Sequence, residues 1–196
     1  MARPKSYDRA DAIEKACYAF WEHGYQALGV RELERLANIN QFAIRSDFGG
    51  KEGLFLEALA YYAESATSIA MAPMKSGGIS SVIGFLEGLV TLGSATSSAF
   101  GCLIVNTGIE NTRVKSPRLK EAVETYWMTL EKHFRHALEN EAMAQNGGSN
   151  ISPEKLSKAL IPAVMGIHAK NRLDGDQTAG RPLVDLLCTT LRNLKS

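Results

Sequence analysis

Apolar residues recur with helical spacing along almost the whole chain. From Asp8 to His23, Ile13, Ala16, Cys17, Phe20 and Trp21 fall on one side, and Gly24 follows where a helix stop needs a left-handed backbone. Two short segments come next. Val30, Leu33 and Ala37 are spaced for one face of a first helix, Asn38 suits its stop, and Ile39 can pack beneath the turn. Asn40 is a good N-cap for a second helix opening at Gln41, with Ala43 and Ile44 inward, Phe48 closing the apolar triangle and Gly49-Gly50 ending it. Two short helices joined by a turn of a few residues make a helix-turn-helix, whose second helix can enter the major groove of DNA.

The remaining pattern predicts longer helices. Lys51 to about Met71 turns Leu54, Phe55, Ala58, Leu59 and Tyr62 inward and stops before Pro73. Ile79 to Leu92 carries Val82, Phe85, Leu86 and Leu89, and the small residues of GSATSSAF separate it from a short apolar helix at 101–111. Ser116-Pro117 combines a cap with proline at the first helical position and starts a long helix to about Ala144. QNGGSN breaks the chain, and Ser152-Pro153 repeats the device for a helix to about Leu173, with a kink expected near Pro162. Arg181 to Leu194 is the last. No internal repeat and no convincing strand emerges, so the expected class is all-α.

The stretch AFWEHGYQALGVRELERLANINQFAIRSDFGGKEGLFLEAL, residues 19–60, resembles the tetracycline-repressor (TetR) family of bacterial one-component regulators. Phe20, Gly24-Tyr25, Val30-Arg31, Leu33, Ala37, Ile39, Ile44, Phe48 and Lys51-Glu52 fall at that family's spacings, and GCLIVNTGIE from Gly101 is similar to a segment of its ligand-binding half. The resemblance implies a three-helix DNA-binding head over residues 1–50, then a helical effector-binding and dimerisation body over 51–196. It also implies a repressor released from its operator by a small molecule. Three departures stand out: Leu28-Gly29 replaces the usual Thr-Ser cap, Glu34 stands where a small residue is usual, and Phe42 and Arg45 replace a small residue and an aromatic. The last two change which bases are read.

Composition narrows this only slightly. With 22 basic and 21 acidic residues the formal charge is +1, and residues 1–55 hold eight of each sign. The case for DNA therefore rests on where charges sit. Arg3 and Lys5 fall on a short N-terminal arm, and Arg31, Arg45 and Lys51 surround the second helix of the motif. Cys17, Cys102 and Cys188 lie far apart, in no metal or redox spacing, which fits a reducing compartment. No signal-peptide core and no run of ~20 apolar residues occurs, so a soluble, cytoplasmic protein without a membrane partner is expected.

Candidate chemistry is sparse. His133 and His136 are spaced i, i+3, but no third ligand joins them, so a surface pair is expected and no metal. His168, among Ile161, Met165 and Ile167, reads either as a pocket donor or as a satisfied core histidine. Cys102 reads as a small core residue or a reactive thiol, with no neighbouring cation to lower its pKa. No catalytic triad order, phosphate loop or carboxylate pair stands out, and no cofactor is expected. Two readings remain: a ligand-responsive regulator, and a helical ligand-binding or enzymatic protein with no operator role.

For the first reading, the DNA-binding residues are Arg31, Asn40, Gln41, Phe42, Arg45 and Lys51. Glutamine can pair with adenine, arginine with guanine and an aromatic with the thymine methyl, while Lys51 would meet phosphate. Two heads on a two-fold axis would read a pseudo-palindromic double-stranded operator. The homodimer is expected through the last two helices, with Leu160, Val164, Ile167, Leu183, Leu187 and Leu191 at the interface. A small organic effector is expected among Phe85, Leu89, Ile104, Asn106, Tyr126, Trp127, Met165 and His168.

Overall fold

The computed structural model describes residues 7–94, 97–144 and 152–194, and every regular element among them is helical. The arm carrying Arg3 and Lys5 and the QNGGSN break lie outside the described residues. Helix α1 (Arg9–His23) is capped by the Asp8 carboxylate, which accepts from the Asp11 N–H, and it ends at Gly24 with φ 86°. Helix α2 (Val30–Leu36) has no side-chain cap at Gly29, but the Glu32 carboxylate accepts the Gly29 N–H at 3.1 Å. Asn38 takes the left-handed conformation, φ 50°. Asn40 then caps α3 (Gln41–Phe48) through Oδ1 and the Ala43 N–H, 2.8 Å apart. One expectation fails here: Val30 is exposed, because Leu28, just before the helix, fills the inward position instead.

Helix α4 (Lys51–Ser65) completes the head. Phe20, Leu33, Ile39, Ile44, Leu54 and Phe55 are each no more than 2% exposed, and the Phe55 ring lies 4.5 Å from Phe20 and 4.8 Å from Tyr25. The head core therefore runs past residue 50 into α4. That helix continues to Met71 as the pattern predicts, but Ala66–Met71 is wound as a π-helix and Ala72–Lys75 as a 3₁₀ turn. The Thr67 hydroxyl donates back to the Ala63 carbonyl at 2.7 Å, the kind of side-chain competition that distorts a helix.

The body comprises α5 (Ile79–Gly88), α6 (Leu103–Val114), α7 (Pro117–Ala144), α8 (Pro153–Asp174) and α9 (Arg181–Asn193). Helix α5 ends earlier than its hydrophobic run, and α6 runs on to a left-handed Lys115. Helix α8 passes through Pro162 unbroken, opened by the Ser152 cap and Pro153. Helix α7 packs on α8, α6 and α5, while α9 packs on α5 and α8. Leu86, Leu130, Phe134, Val164 and Ile167 fill the centre. The fully buried Asn171 donates to the Leu89 carbonyl and accepts from the Gly180 N–H, joining α8, α5 and the entry to α9.

Helices α3 and α4 meet so closely that a Cβ on Gly53 would stand 1.6 Å from the Phe48 carbonyl oxygen. Gly53→Ala should therefore cost about 3 kcal/mol in urea unfolding, the upper end for overpacking, despite alanine's better helix propensity. An unchanged midpoint would mean that this crossing is wider than described.

Candidate nucleic-acid interface and the cavities behind it

Helix α3 buries Ala43, Ile44 and Phe48 and turns Gln41, Phe42 and Arg45 outward. Phe42 is 81% exposed, so its ring has no use inside the subunit. Gln41 Nε2 donates to Glu34 Oε2 at 2.8 Å, so the unusual Glu34 on α2 orients a residue of the exposed face. The acid of α3 is drawn the other way: the Tyr7 hydroxyl donates to Asp47 Oδ2 at 2.6 Å. Arg9 stacks over the Phe48 ring at 4.2 Å. Arg45 is the basic group of the exposed face of α3, and Arg31 on α2 is also exposed. The Asn40 side chain is committed to its cap.

Val30, Gln41, Phe42, Ile44, Arg45, Gly49, Gly50 and Lys51 line an open cleft of about 580 Å³. It ends at the start of α4, where Gly50 offers no side-chain cap. Free N–H groups at a helix start attract anions. The Lys51 ammonium lies 4.5 Å over the Tyr25 ring. Burial lowers its pKa, while Glu110 and Glu32 pull in the opposite direction.

Behind the head, α1 is fastened to the body. The Trp21 Nε1–H donates to the Gly101 carbonyl at 3.0 Å. Arg172 on α8 donates to the carbonyls of Trp21, at 3.2 Å, and Phe100, at 2.9 Å. Glu110 on α6 accepts the Tyr25 N–H at 2.8 Å, and Arg118 on α7 stands 3.6 Å from Glu52. Gly101 has φ 71°, and a Cβ there would come 2.7 Å from the His168 carbonyl oxygen, so this loop passes α8 at backbone contact.

Two cavities open beside these tethers, with Tyr126 in the wall of both. One, about 420 Å³, lies between α4, α6 and α7 and includes Ile104, Arg118, Glu121 and Thr125. The other, about 240 Å³, is walled by α1, α4, the π-turn, α5, α7 and α8.

Residues 12–58 match the family described as bacterial regulatory proteins, tetR family. That match lies within the helix-turn-helix head and α4. Over 141 residues it is 29% identical to the uncharacterized HTH-type transcriptional regulator YezE of Bacillus subtilis (strain 168), covering 70% of this chain and 72% of that one. Over 146 residues it is 25% identical to the HTH-type transcriptional repressor ComR of Escherichia coli (strain K12), covering 73% of this chain and 65% of ComR. Its fold matches a cysteine-substituted form of the TetR family transcriptional regulator CifR complexed with 26-bp operator DNA. That match has a TM-score of 0.81 at 21% identity, over 97% of this chain and 98% of CifR. The reduced form of E. coli NemR matches with a TM-score of 0.78 at 15% identity, over 95% and 96% of the two chains. The chain is thus similar in its head to DNA-binding regulators of the tetR family, and in its whole fold to solved TetR-family regulators.

Of the expected pocket residues, Phe85, Leu89, Tyr126 and His168 line the smaller cavity, and Ile104 and Tyr126 the larger. Asn106 is not a pocket group: its Nδ2 donates to the Phe100 carbonyl at 3.0 Å and secures the loop. Trp127 packs edge-on against Tyr126, 5.2 Å away, and Met165 sits half-buried on α8; neither lines a described cavity. The smaller cavity is also lined by residues the sequence did not suggest: Cys17, Tyr18 and Trp21 of α1 and Tyr61, Tyr62 and Ser65 of α4. Tyr61-Tyr62 hinted at two-sided use of α4, but no local pattern brings α1 against α8.

The expected dimer surface also needs correction. Leu160, Val164, Ile167 and Leu191 are at most 1% exposed and belong to the subunit's own core. The helices had enough apolar residues for two faces, and the sequence period alone did not say which face turned inward. What α8 and α9 leave in solvent is Pro162, Gly166, Leu173, Leu183 and Leu186, with Leu187 half-buried. Gly166 lies against Leu183.

The histidine pair is used singly: His133 Nδ1 meets the Thr129 carbonyl and His136 Nε2 the Lys75 carbonyl. Among the described residues no three His, Cys, Asp or Glu side chains could hold a metal, and no helix is long and apolar enough to cross a membrane. All three cysteines are buried. Burial raises the Cys102 pKa, and it pushes Cys17 up to about 12, so both are held as thiols.

His168 is 4% exposed, its Nδ1 has no hydrogen-bond partner, and burial lowers its pKa from 6.5 to about 4. The folded protein holds the neutral ring while the unfolded chain protonates below pH 6.5, so stability is lost as pH falls from 6.5 toward 4. Between pH 7.5 and 5 the loss from this group should be about 2 kcal/mol. His168→Gln should flatten the urea midpoint across that window; an equally steep variant would place the titration elsewhere.

Proposed function

We propose that the chain is a repressor that binds a pseudo-palindromic operator as a homodimer and releases it when a small organic effector occupies the body. The observation that carries the DNA half is the outward face of α3, where Phe42 stands 81% exposed beside Arg45 and an oriented Gln41. An apolar ring held in water next to a bidentate donor suits the major groove, where thymine presents a methyl and guanine two acceptors. The start of α4, without a side-chain cap and opened by Lys51, suits the flanking phosphates. Support for repression comes from the naming of ComR as a repressor, and support for operator binding from the DNA held by CifR.

Dimerisation is supported by the face that α8 and α9 expose: Leu186 is 63% and Leu173 83% exposed, and Pro162 and Gly166 allow close approach. A single head is too small for tight, specific binding, and the two-fold doubles the contacts. Release is supported by two cavities adjoining the helices that carry the head. An effector that lowers operator affinity tenfold must favour the incompetent arrangement by ~1.4 kcal/mol.

A mobility shift on the DNA upstream of the chain's own gene tests the reading; absence of a specific shift at any salt would overturn it. Arg45→Ala and Phe42→Ala should each weaken that complex by about 1–3 kcal/mol and relax base preference at separate positions. Lys51→Ala should instead weaken all sequences alike. Leu186→Glu would bury a charge between subunits and should give monomers in light scattering, with operator binding lost as a consequence. A wild-type monomer, or a variant that still dimerises, would remove α9 from the interface.

A further inference from the structure

We propose that the cavity of about 240 Å³ between α1, α4 and α8 is the inducer site, and that it takes a small, neutral, monocyclic aromatic molecule carrying a hydroxyl group. This rests on the reading of the chain as an effector-released regulator and adds the site and the chemistry. Size sets the first limit: an apolar cavity of about 150 Å³ holds benzene, so this one holds about ten non-hydrogen atoms. Charge sets the second. No Asp, Glu, Lys or Arg lines the cavity, and His168, with its pKa near 4, is neutral at pH 7. An ion at the buried end, beside His168, would lose hydration without a counter-charge.

Shape and polarity complete the description. Tyr18, Trp21, Tyr61, Tyr62, Phe85 and Tyr126 surround the space, and rings favour offset or edge contacts with another ring. His168 adds a buried imidazole whose Nδ1 has no partner in the protein, an uncommon state for a buried polar atom. A hydroxyl both donates and accepts, so it can satisfy the neutral ring in either tautomer. The larger cavity lacks this combination, since Arg118, Glu121 and Thr125 are among its lining residues.

The position explains how such a ligand would act. Trp21 forms a wall of the cavity and also bonds the Gly101 carbonyl, while its own carbonyl is held by Arg172, one turn beyond His168. A ligand that moves the indole therefore works on α1 of the head directly.

The test uses the full-length protein with 4-ethylphenol, its hydroxyl-free analogue ethylbenzene and the anion 4-ethylbenzoate. Calorimetry should find binding of 4-ethylphenol about tenfold tighter than ethylbenzene, the size of one neutral hydrogen bond, and no binding of 4-ethylbenzoate. His168→Leu should bring the first two level. If that variant does not fold by circular dichroism, Ala66→Phe fills the cavity from the π-turn and should abolish 4-ethylphenol binding. Arg172→Met, outside the cavity, should leave that binding within twofold but reduce release of operator DNA. Binding of the anion, no preference for the hydroxyl, or undiminished binding in Ala66→Phe overturns the proposal. Operator binding without ligand, measured on the same preparation, tests the regulator reading separately and stands or falls without these results.

Discussion

Two consecutive residues of α1 hold the molecule together by facing different neighbours. Phe20 points into the head, 4.5 Å from Phe55, and Trp21 meets Tyr62 edge-on at 5.1 Å while its indole nitrogen bonds the body at Gly101. Phe55 and Tyr62 lie two turns apart on α4, so α1 and α4 are joined by one aromatic contact at the head end and one at the body end. The short helices α2 and α3 cannot bury enough surface alone, and they are stable because this pair gives them a floor. The head is therefore a platform whose orientation is set by the body, and the recognition helix inherits that orientation.

Such an arrangement suits release by small displacement. Beside the apolar packing, the polar tethers between head and body among the described residues include one indole bond, one guanidinium bridging two carbonyls, one carboxylate on the Tyr25 amide, and an ion pair between Arg118 and Glu52. Each contributes on the order of 1 kcal/mol. A binding event of ordinary small-molecule strength is enough to exchange one or two of them, whereas prising apart Phe20 and Phe55 would cost far more. On the proposed release mechanism, polar tethers that exchange before the aromatic core opens would let the head move without unfolding.

The helical class, the order of elements and the motif were legible because each is written locally. Asn40 with Ala43, Asn38 at positive φ, and Ser152 before Pro153 are caps and stops that depend on a few neighbours. What failed depended on the other side of a helix. Leu160 and Leu183 are equally apolar in the sequence, yet one is core and the other exposed, because helices α8 and α9 are apolar over more than one face. Of the residues lining the smaller cavity, Phe85, Leu89, Tyr126 and His168 lie on body helices whose convergence the pattern suggested, but Cys17 and Trp21 arrive from α1 by a tertiary contact that no spacing encodes. Trp127 misled for the same reason, being a large ring whose neighbour Tyr126 took the interior position. Glu34 looked like a defect in the motif until its partner Gln41 was in view.

Charge placement decides what kind of DNA reader this head can be. With eight basic and eight acidic residues in the first 55, the segment has little net attraction for phosphate, which ordinarily supplies most non-specific binding. The structure works around this by direction: Asp47 is drawn back to Tyr7, and Glu34 is turned onto Gln41, so the acids nearest α3 are engaged by neighbours. The groups that α3 turns outward include the Phe42 ring, the Gln41 amide and the Arg45 guanidinium. A surface of that kind gains little from any duplex and much from the right one. If α3 reads the operator as proposed, its selectivity would depend on base contacts from α3 and its affinity on a second head held in register, and the geometry set by α1 and α4 would control binding.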